Sequence, residues 1–189
     1  MDICYGLGFN ALATLLHVQQ NNLEVKLNIY SPELDESLVK SLTNFTYPKE
    51  FEGFRRIIEA IAKDGVYEDE NLYVEVFLGD AREYVKRFEN KFDVVYQDAF
   101  SPSANPALWT KEYFTDVRRS MKENGVLTTY SISLATRLAL YENGFNVYLN
   151  VGENYRDATV ASPSKLDDFK EVDMAHKIAC NPNAKSLRD

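Results

Sequence analysis

Hydrophobic and polar positions along the chain switch between the period of a strand and the period of a helix. Residues 71–78 alternate apolar and polar side chains, as strands do, whereas residues 34–42 place apolar side chains three or four apart, as helices do. The whole pattern predicts helices over 10–20, 34–42, 54–62, 82–88, 111–122 and 134–142, and strands over 1–4, 25–30, 71–78, 92–97, 125–131, 145–151 and 157–162. Strands that alternate with helices at this spacing predict an α/β fold with a doubly wound, mostly parallel sheet. The last two strands are expected to pair as an antiparallel hairpin around 152–154.

The length of 189 residues and the 45% hydrophobic content fit one well-buried domain and are too small for two ordinary ones. We expect this domain to cover residues 1–163. Residues 164–189 are charged and aperiodic, which predicts a partly ordered tail with at most one short helix.

A net charge of −8 disfavours broad, nonspecific binding of nucleic acid, because neutralising phosphates requires clustered Lys and Arg. Any contact with RNA should therefore be local. Cys4 and Cys180 stand far apart in the sequence, and His17 and His176 are the only histidines that could bind a metal with them. We therefore expect no metal site and no disulfide framework. The chain carries no apolar run long enough for a signal or membrane segment, which predicts a cytoplasmic protein.

Two glycines interrupt the first apolar run, and a helix is predicted to begin just after them. Gly6 and Gly8 can adopt backbone conformations that a Cβ forbids, and the N–H groups at the start of the helix would point to the same place. The motif also satisfies Gly-x-Gly-x-x-Ala, so a dinucleotide site and a ligand-free turn are both open interpretations.

Three acidic residues follow the next predicted strands: Glu33, Asp80 and Asp98. Ligands of such sheets bind at the carboxyl ends of the strands, and neighbouring carboxylates repel one another unless they bind donors or a cation. A carboxylate at the position of Glu33 suits a ribose diol in a dinucleotide or an adenosyl ligand. Asp80 can accept from an adenine amine, and Asp98 can face a positive group.

This set of residues resembles the S-adenosylmethionine-dependent methyltransferase fold, from Met1 to about Ser162. The resemblance implies a Rossmann-like methyltransferase in which the glycine turn holds the methionine end of S-adenosylmethionine, Glu33 the ribose and Asp80 the adenine. The expected cofactor-binding residues are Tyr5, Gly6, Gly8, Asn10, Glu33, Asp80, Ala81, Asp98, Ala99 and Phe100.

A narrower resemblance rests on Asp2–Asn10 and on Asp98–Thr110, a segment with an aspartate, two prolines and a tryptophan. Both segments are similar to the MnmC methyltransferase domain family. That family methylates the amine of 5-aminomethyluridine at the wobble position of tRNA, and a separate oxidase partner is a further expectation. The resemblance implies that Asp98 touches the cofactor or the acceptor amine, and the amine must attack the methyl group in line while a proton is accepted.

The segment 101–109 would form the rim where a flipped uridine enters, with Tyr5 as a further candidate to face the base. The expected substrate-binding residues are Phe100, Pro102, Trp109 and Arg156. Trp109 has an alternative interpretation, in which it anchors the proline-containing loop to the core. Thr110 is predicted to cap the following helix.

Two features depart from the family pattern. The last hairpin keeps only Arg156 of a basic segment. Family members also have a helix and more of the first strand before the glycine motif, so two interpretations stay open: the start of the first strand is missing here, or part of the cofactor lid is. Methyl or aminopropyl transfer to a polyamine-like acceptor is the rival activity, since it suits an acidic crevice. A non-catalytic binding protein of the same fold is a third interpretation. A nicotinamide dehydrogenase is disfavoured because the segment after Asp98 offers no group that handles hydride.

Overall fold

A computed structural model describes residues 1–152 and 156–189, and the chain divides into two compact units, Met1–Tyr84 and Val85–Asp189. The strands of the first unit are β1 (Asp2–Ile3), β2 (Leu27–Glu33), β3 (Val66–Glu68) and β4 (Leu72–Leu78). Its helices are α1 (Phe9–Gln20), α2 (Glu36–Ser41) and α3 (Arg55–Asp64), with 3-10 turns at Leu42–Asn44 and Lys49–Phe54. Helix α4 (Ala81–Val85) lies where the first unit ends.

The sheet of the first unit has the order β2-β4-β3, in which β2 and β4 are parallel and β3 is antiparallel to β4. The parallel register pairs Leu27 with Leu72 and Glu33 with Leu78, so both strands end at one edge. Helices α1 and α3 contribute apolar side chains to one core with these strands. Its members include Ala11, Leu12, Leu15, Ile58, Ile61, Val74 and Val76.

The strands of the second unit are β5 (Phe92–Gln97), β6 (Met121–Thr129), β7 (Asn146–Asn150), β8 (Ala158–Ser162) and β9 (Lys170–Glu171). Its helices are α5 (Lys111–Ser120), α6 (Leu134–Tyr141) and α7 (Met174–Cys180), with a 3-10 turn at Pro106–Trp109. These strands are ordered β5-β6-β8-β7-β9. Since β5 and β6 are parallel and β8 is antiparallel to both β6 and β7, the strands β5, β6 and β7 end at the same edge.

The predicted α/β class, with parallel strands followed by an antiparallel hairpin, is confirmed. The turn expected at 152–154 lies partly outside the described residues. Strand β3 was not predicted, because three residues are too few for a recognisable period. Helix α4 has five residues, fewer than the predicted 82–88.

Strand β2 continues through Pro32 to Glu33, beyond the predicted end of this strand at residue 30. Proline removes only its own N–H, and its carbonyl still accepts a hydrogen bond from Tyr5 N at 3.2 Å. Strand β6 begins at Met121, although 122 was predicted to be helical. Its pairing to β5 shifts between Phe92 and Val94, so the regular part of β6 starts near the predicted position at 125.

The segment 164–189 contributes β9 and α7 to the second unit. Near its end the Leu187 carbonyl accepts a hydrogen bond from Lys111 N at 2.8 Å, and Arg188 forms an ion pair with Glu112 at 2.6 Å. Among the helices of the described residues, none is long and apolar enough to cross a membrane.

Candidate functional site

The turn between β1 and α1 has a left-handed backbone at three positions, Cys4 (φ 67°), Gly6 (φ 56°) and Gly8 (φ 76°). Gly8 N donates to the Tyr5 carbonyl at 2.8 Å, which closes the turn, and Gly8 caps α1 without any side-chain hydrogen bond. The N–H groups at the start of a helix favour an anionic ligand, and left-handed turns form concave sites for such groups. The turn therefore offers a site for a carboxylate.

The two glycines are required for different reasons. Among the described residues, a Cβ at Gly6 would meet only the Cys4 carbonyl, at the ordinary contact distance of 3.9 Å, so the space beside Gly6 can admit a ligand. A Cβ at Gly8 would lie 2.7 Å from the Tyr5 ring, so Gly8 is required by internal packing. Tyr5 itself is buried, and burial raises the pKa of its hydroxyl well above the ordinary value. Its ring is thus not available to stack on a ligand, and only its main chain lies in the turn.

Glu33 links the end of β2 to this turn. Its Oε2 accepts a hydrogen bond from Gly6 N at 2.9 Å, and its Oε1 accepts from Leu34 N at 2.8 Å and from Asp35 N at 3.0 Å. A carboxylate has about four lone-pair sites, so these three N–H groups leave room for a further donor. A ribose hydroxyl is a suitable donor.

The structure brings Glu33 and Asp80 to one edge of the first unit's sheet. Gly79 N donates to the Glu33 carbonyl at 2.8 Å, and Asp80 accepts a hydrogen bond from Arg82 N at 2.7 Å as α4 begins. Ala81 is the buried first residue of α4. Asn10 also belongs to this unit, where its Nδ2 donates to Asp2 Oδ1 at 3.0 Å.

Two leucines at the same edge were not predicted as site residues. Leu34, directly after β2, is 78% exposed, and Leu78, the last residue of β4, is also exposed and pairs with Glu33. Exposed apolar side chains next to strand-end carboxylates suit the face of a planar ring. The sequence signal for Leu34 was its position directly after Glu33. Leu34 also fits the helical period of 34–42, so the sequence analysis assigned it to a helix.

In the second unit, Asp98 and Phe100 stand on the loop that follows β5, which we call the acceptor loop (residues 98–109). Asp98 is exposed, the side chain of Ala99 is fully buried, and Phe100 is 78% exposed. The loop then turns at Ser101, whose carbonyl accepts from Ala104 N at 2.8 Å and from Asn105 N at 2.9 Å. A carboxylate and an aromatic ring therefore project to solvent on either side of one buried residue.

Buried side chains hold both ends of the acceptor loop. Gln97 Nε2 donates to the Leu108 carbonyl at 2.8 Å, while Gln97 Oε1 accepts from the Tyr113 hydroxyl at 3.0 Å. Trp109 Nε1 donates to the Phe100 carbonyl at 2.7 Å. Thr110 Oγ1 accepts from Tyr113 N at 3.2 Å, which confirms the predicted cap of α5. These bonds join residues that the sequence separates by up to 16 positions.

Trp109 is fully buried, so its indole does not offer a face to a substrate. The expectation that Trp109 contacts the base needs correction, and the structure supports the alternative, that it anchors the loop. Pro102 is half-buried on the loop, and Arg156 is exposed before β8.

Exposed apolar side chains follow each of the parallel strands of the second unit. Phe100 follows β5, Tyr130 and Ile132 follow β6, and Val151 follows β7. Because these strands end at one edge, the edge carries an apolar rim beside Asp98. Only Phe100 of this set was predicted as a site residue, since an isolated exposed apolar residue carries no periodic signal.

Comparisons with known proteins give a consistent result. Residues 33–163 match a family model described as S-adenosyl-L-methionine-dependent methyltransferase. An uncharacterized protein of Methanocaldococcus jannaschii is 31% identical in an alignment that covers 100% of this chain and 48% of that protein. The tRNA 5-methylaminomethyl-2-thiouridine biosynthesis bifunctional protein MnmC of Campylobacter hominis is 28% identical, over 81% of this chain and 23% of that protein. The chain thus spans less than half the length of these relatives.

Among solved structures, the crystal structure of MNMC2 from Aquifex aeolicus matches with a TM-score of 0.80 and 29% identity, over 100% of this chain and 60% of that chain. The match confirms the predicted Rossmann-like methyltransferase fold, and the relatives confirm the resemblance to the MnmC methyltransferase domain. The region matched by the family model includes Glu33, Asp80 and Asp98, and it begins after the glycine turn.

Proposed function

Since the chain belongs to the S-adenosyl-L-methionine-dependent methyltransferase family, we propose that it is an N-methyltransferase acting on the aminomethyl group of wobble uridine in tRNA. The main support for the proposal is that Asp98 and Phe100 are both exposed on one loop, and that buried side chains hold this loop by hydrogen bonds. This pairing suits an acceptor that has both an amine and a planar ring.

The first unit is proposed to bind the cofactor. Gly6 and the first N–H groups of α1 would receive the carboxylate of the methionine end, and Glu33 would accept hydrogen bonds from the ribose. Asp80 and Ala81 would contact the adenine, with Leu34 against its face. The open space beside Gly6 and the remaining acceptor capacity of Glu33 fit these assignments.

When bound, S-adenosylmethionine supplies a sulfonium methyl group, whose S–C bond breaks as the acceptor nitrogen forms its new N–C bond. Asp98 would hold the neutral amine by accepting one N–H bond and would take the proton that the nitrogen loses, before releasing it to water. Ala99 would contribute its backbone to this part of the site. Positioning and proton acceptance are thus the proposed contributions of the protein.

The acceptor loop and the apolar rim are proposed to receive the uracil ring. Phe100 would stack on the base, and Pro102 would limit where the base lies. Arg156 would contact a neighbouring phosphate, which is the local kind of RNA contact that a net charge of −8 permits. A flexible polyamine is held mainly by carboxylates and would leave Phe100, Ile132 and Val151 without a partner.

The decisive experiment measures transfer of a labelled methyl group from S-adenosylmethionine to three acceptors. These are tRNA bearing the aminomethyl group, the same tRNA without that group, and spermidine. We expect labelling of the first acceptor only, and its rate should fall steeply with added salt, by on the order of one log-log unit per phosphate contacted.

Labelling of spermidine with no salt dependence would instead support the polyamine activity. Cofactor binding without transfer to any acceptor would support a non-catalytic role.

A separate oxidase partner is proposed to supply the aminomethyl group, so tRNA from cells lacking that oxidase activity should accept no methyl group until it is treated with the oxidase.

A further inference from the structure

Tyr130 directly follows β6, and its side chain reaches the acceptor loop. The Tyr130 hydroxyl donates to the Ala99 carbonyl at 2.8 Å, one residue before the carbonyl that Trp109 binds. Two successive carbonyls of the loop, those of Ala99 and Phe100, are therefore each bound by an aromatic side chain from a later part of the sequence.

The side chains of Trp109 and Tyr130 also pack against each other. The rings of Trp109 and Tyr130 meet edge to face, with centroids 5.9 Å apart and an interplanar angle of 76°. Such a contact is worth about 0.5–1.5 kcal/mol beyond the area that it buries. A shift of Tyr130 would therefore disturb the packing of Trp109 as well as the hydrogen bond to Ala99.

This arrangement holds both the side chain and the carbonyl of Ala99. Its methyl group is fully buried, and its carbonyl is held by Tyr130. Because a peptide unit is planar, fixing this carbonyl restricts the orientation of the Phe100 backbone that follows. Asp98 and Phe100 are the two chain neighbours of Ala99, so the orientation of both side chains depends on it.

We propose that Tyr130 is a positioning residue of the acceptor site: its hydroxyl holds the Ala99 carbonyl and thereby keeps the Asp98 carboxylate and the Phe100 ring in their working orientation. This inference rests on the proposed function of Asp98 and Phe100. Tyr130 acts through the loop and need not touch the reacting atoms.

The first test does not depend on catalysis. The chain has a single tryptophan, Trp109, so its fluorescence reports directly on the packing beside Tyr130. In Tyr130→Phe we expect acrylamide to quench this fluorescence about two- to tenfold more efficiently, the factor that corresponds to losing one hydrogen bond. Tyr141→Phe is the matched control, because Tyr141 is also exposed and lies on α6, and it should leave quenching unchanged.

The second test measures the consequence for methyl transfer. Tyr130→Phe should lower kcat about two- to tenfold, while the Kd for S-adenosylmethionine stays at the wild-type value. In an Asp98→Asn background, Tyr130→Phe should lower the rate by a smaller factor than in the wild type, because the positioned carboxylate is already lost and only the Phe100 ring remains to be displaced. A merely structural role would lower the rate equally in both backgrounds.

Unchanged quenching in Tyr130→Phe would overturn the inference whatever the enzyme's activity. Increased quenching with additive kinetic effects would also overturn it, since Tyr130 would then not act through Asp98. A wild-type protein that methylates none of the acceptors contradicts the proposed function, and the quenching of Trp109 then decides whether Tyr130 holds the loop.

Discussion

The Oε2 atom of Glu33 lies 2.9 Å from the backbone N of Gly6 and accepts its hydrogen bond, so the end of β2 directly holds the glycine turn. Leu34 N and Asp35 N bind the other carboxylate oxygen. Glu33 is therefore a structural acceptor as well as a proposed ribose ligand. Its substitution should change stability and cofactor affinity together.

Replacing Glu33 with Gln tests this double role. The amide has one oxygen and one NH2 group, so at least one of the three backbone N–H groups faces a donor and loses its bond. We expect the free energy of unfolding to fall by about 1–3 kcal/mol, and the Kd for S-adenosylmethionine to rise at least about tenfold. Urea unfolding and calorimetric titration measure the two effects.

Glu36→Gln is the control for that change, since Glu36 is exposed and forms a surface ion pair with Lys40 at 2.7 Å. It should alter the free energy of unfolding by less than about 0.5 kcal/mol. If Glu33→Gln binds the cofactor as tightly as the wild type, Glu33 is not a ribose ligand.

The two glycines of the turn should respond differently to alanine. Gly8→Ala places a methyl group 2.7 Å from the Tyr5 ring and also forces a residue with a side chain to φ 76°. Gly6→Ala has the left-handed strain, about 1–2 kcal/mol, but its methyl group would make only an ordinary contact, with the Cys4 carbonyl at 3.9 Å among the described residues. We therefore expect Gly8→Ala to lower the Tm more, and Gly6→Ala to weaken cofactor binding by more than its stability loss explains.

Thermal unfolding with and without S-adenosylmethionine separates the two variants. Gly53→Ala is the control, because no atom of the residues that the structure describes lies within 4 Å of a Cβ there and its φ is not left-handed. Equal cofactor affinity of Gly6→Ala and the wild type would show that the open space beside Gly6 does not receive the ligand.

The positions of the strand-end residues could be predicted from the sequence because the rule behind them is local. Gly6, Glu33, Asp80 and Asp98 each stand at the end of a predicted strand, and the carboxyl edge of a parallel sheet is where ligands bind. Glu33 and Asp80 do lie at one edge, since β2 and β4 pair in parallel up to Glu33 and Leu78.

The residues that hold the acceptor loop could not be predicted in the same way. The bond from Tyr130 to Ala99 spans 31 positions and the bond from Gln97 to Leu108 spans 11, and neither follows a helical or strand period. The sequence left two interpretations of Trp109 open, contact with the substrate and anchoring of the loop. The burial of its side chain in the structure supports anchoring. Tertiary packing, rather than local propensity, determines which aromatic residue faces solvent.

A carboxylate between two tyrosines predicts a loss of stability at alkaline pH. Glu75 accepts hydrogen bonds from the Tyr73 and Tyr84 hydroxyls, each at 2.7 Å. The bond to Glu75 raises the pKa of Tyr73 to about 12, and burial, followed by the bond to Glu75, raises the pKa of Tyr84 further. Both folded-state pKa values lie above the ordinary value of 10.

The protonated tyrosines therefore stabilise the folded state below pH 10, and this contribution is lost as the pH rises from 10 towards the folded-state values. Urea midpoints measured across that window should fall with increasing pH. Glu75→Gln removes the negative charge that raises both pKa values, so its midpoint should fall less steeply. A wild-type midpoint that stays constant over this window would contradict the expectation.

Asp98→Asn tests the proposed proton acceptor. Asp98 is exposed, so its replacement should leave the Tm and the Kd for S-adenosylmethionine close to the wild-type values. An amide cannot take the proton that the acceptor nitrogen loses, and general base catalysis contributes about 10²–10⁴-fold, so the methyl transfer rate should fall by at least about 100-fold. Asp93→Asn is the matched control, because Asp93 is exposed on the same strand β5 and pairs with Lys122 at 2.8 Å. Near-normal turnover by Asp98→Asn would remove Asp98 from this role and leave positioning by Phe100 as the main contribution of the acceptor loop.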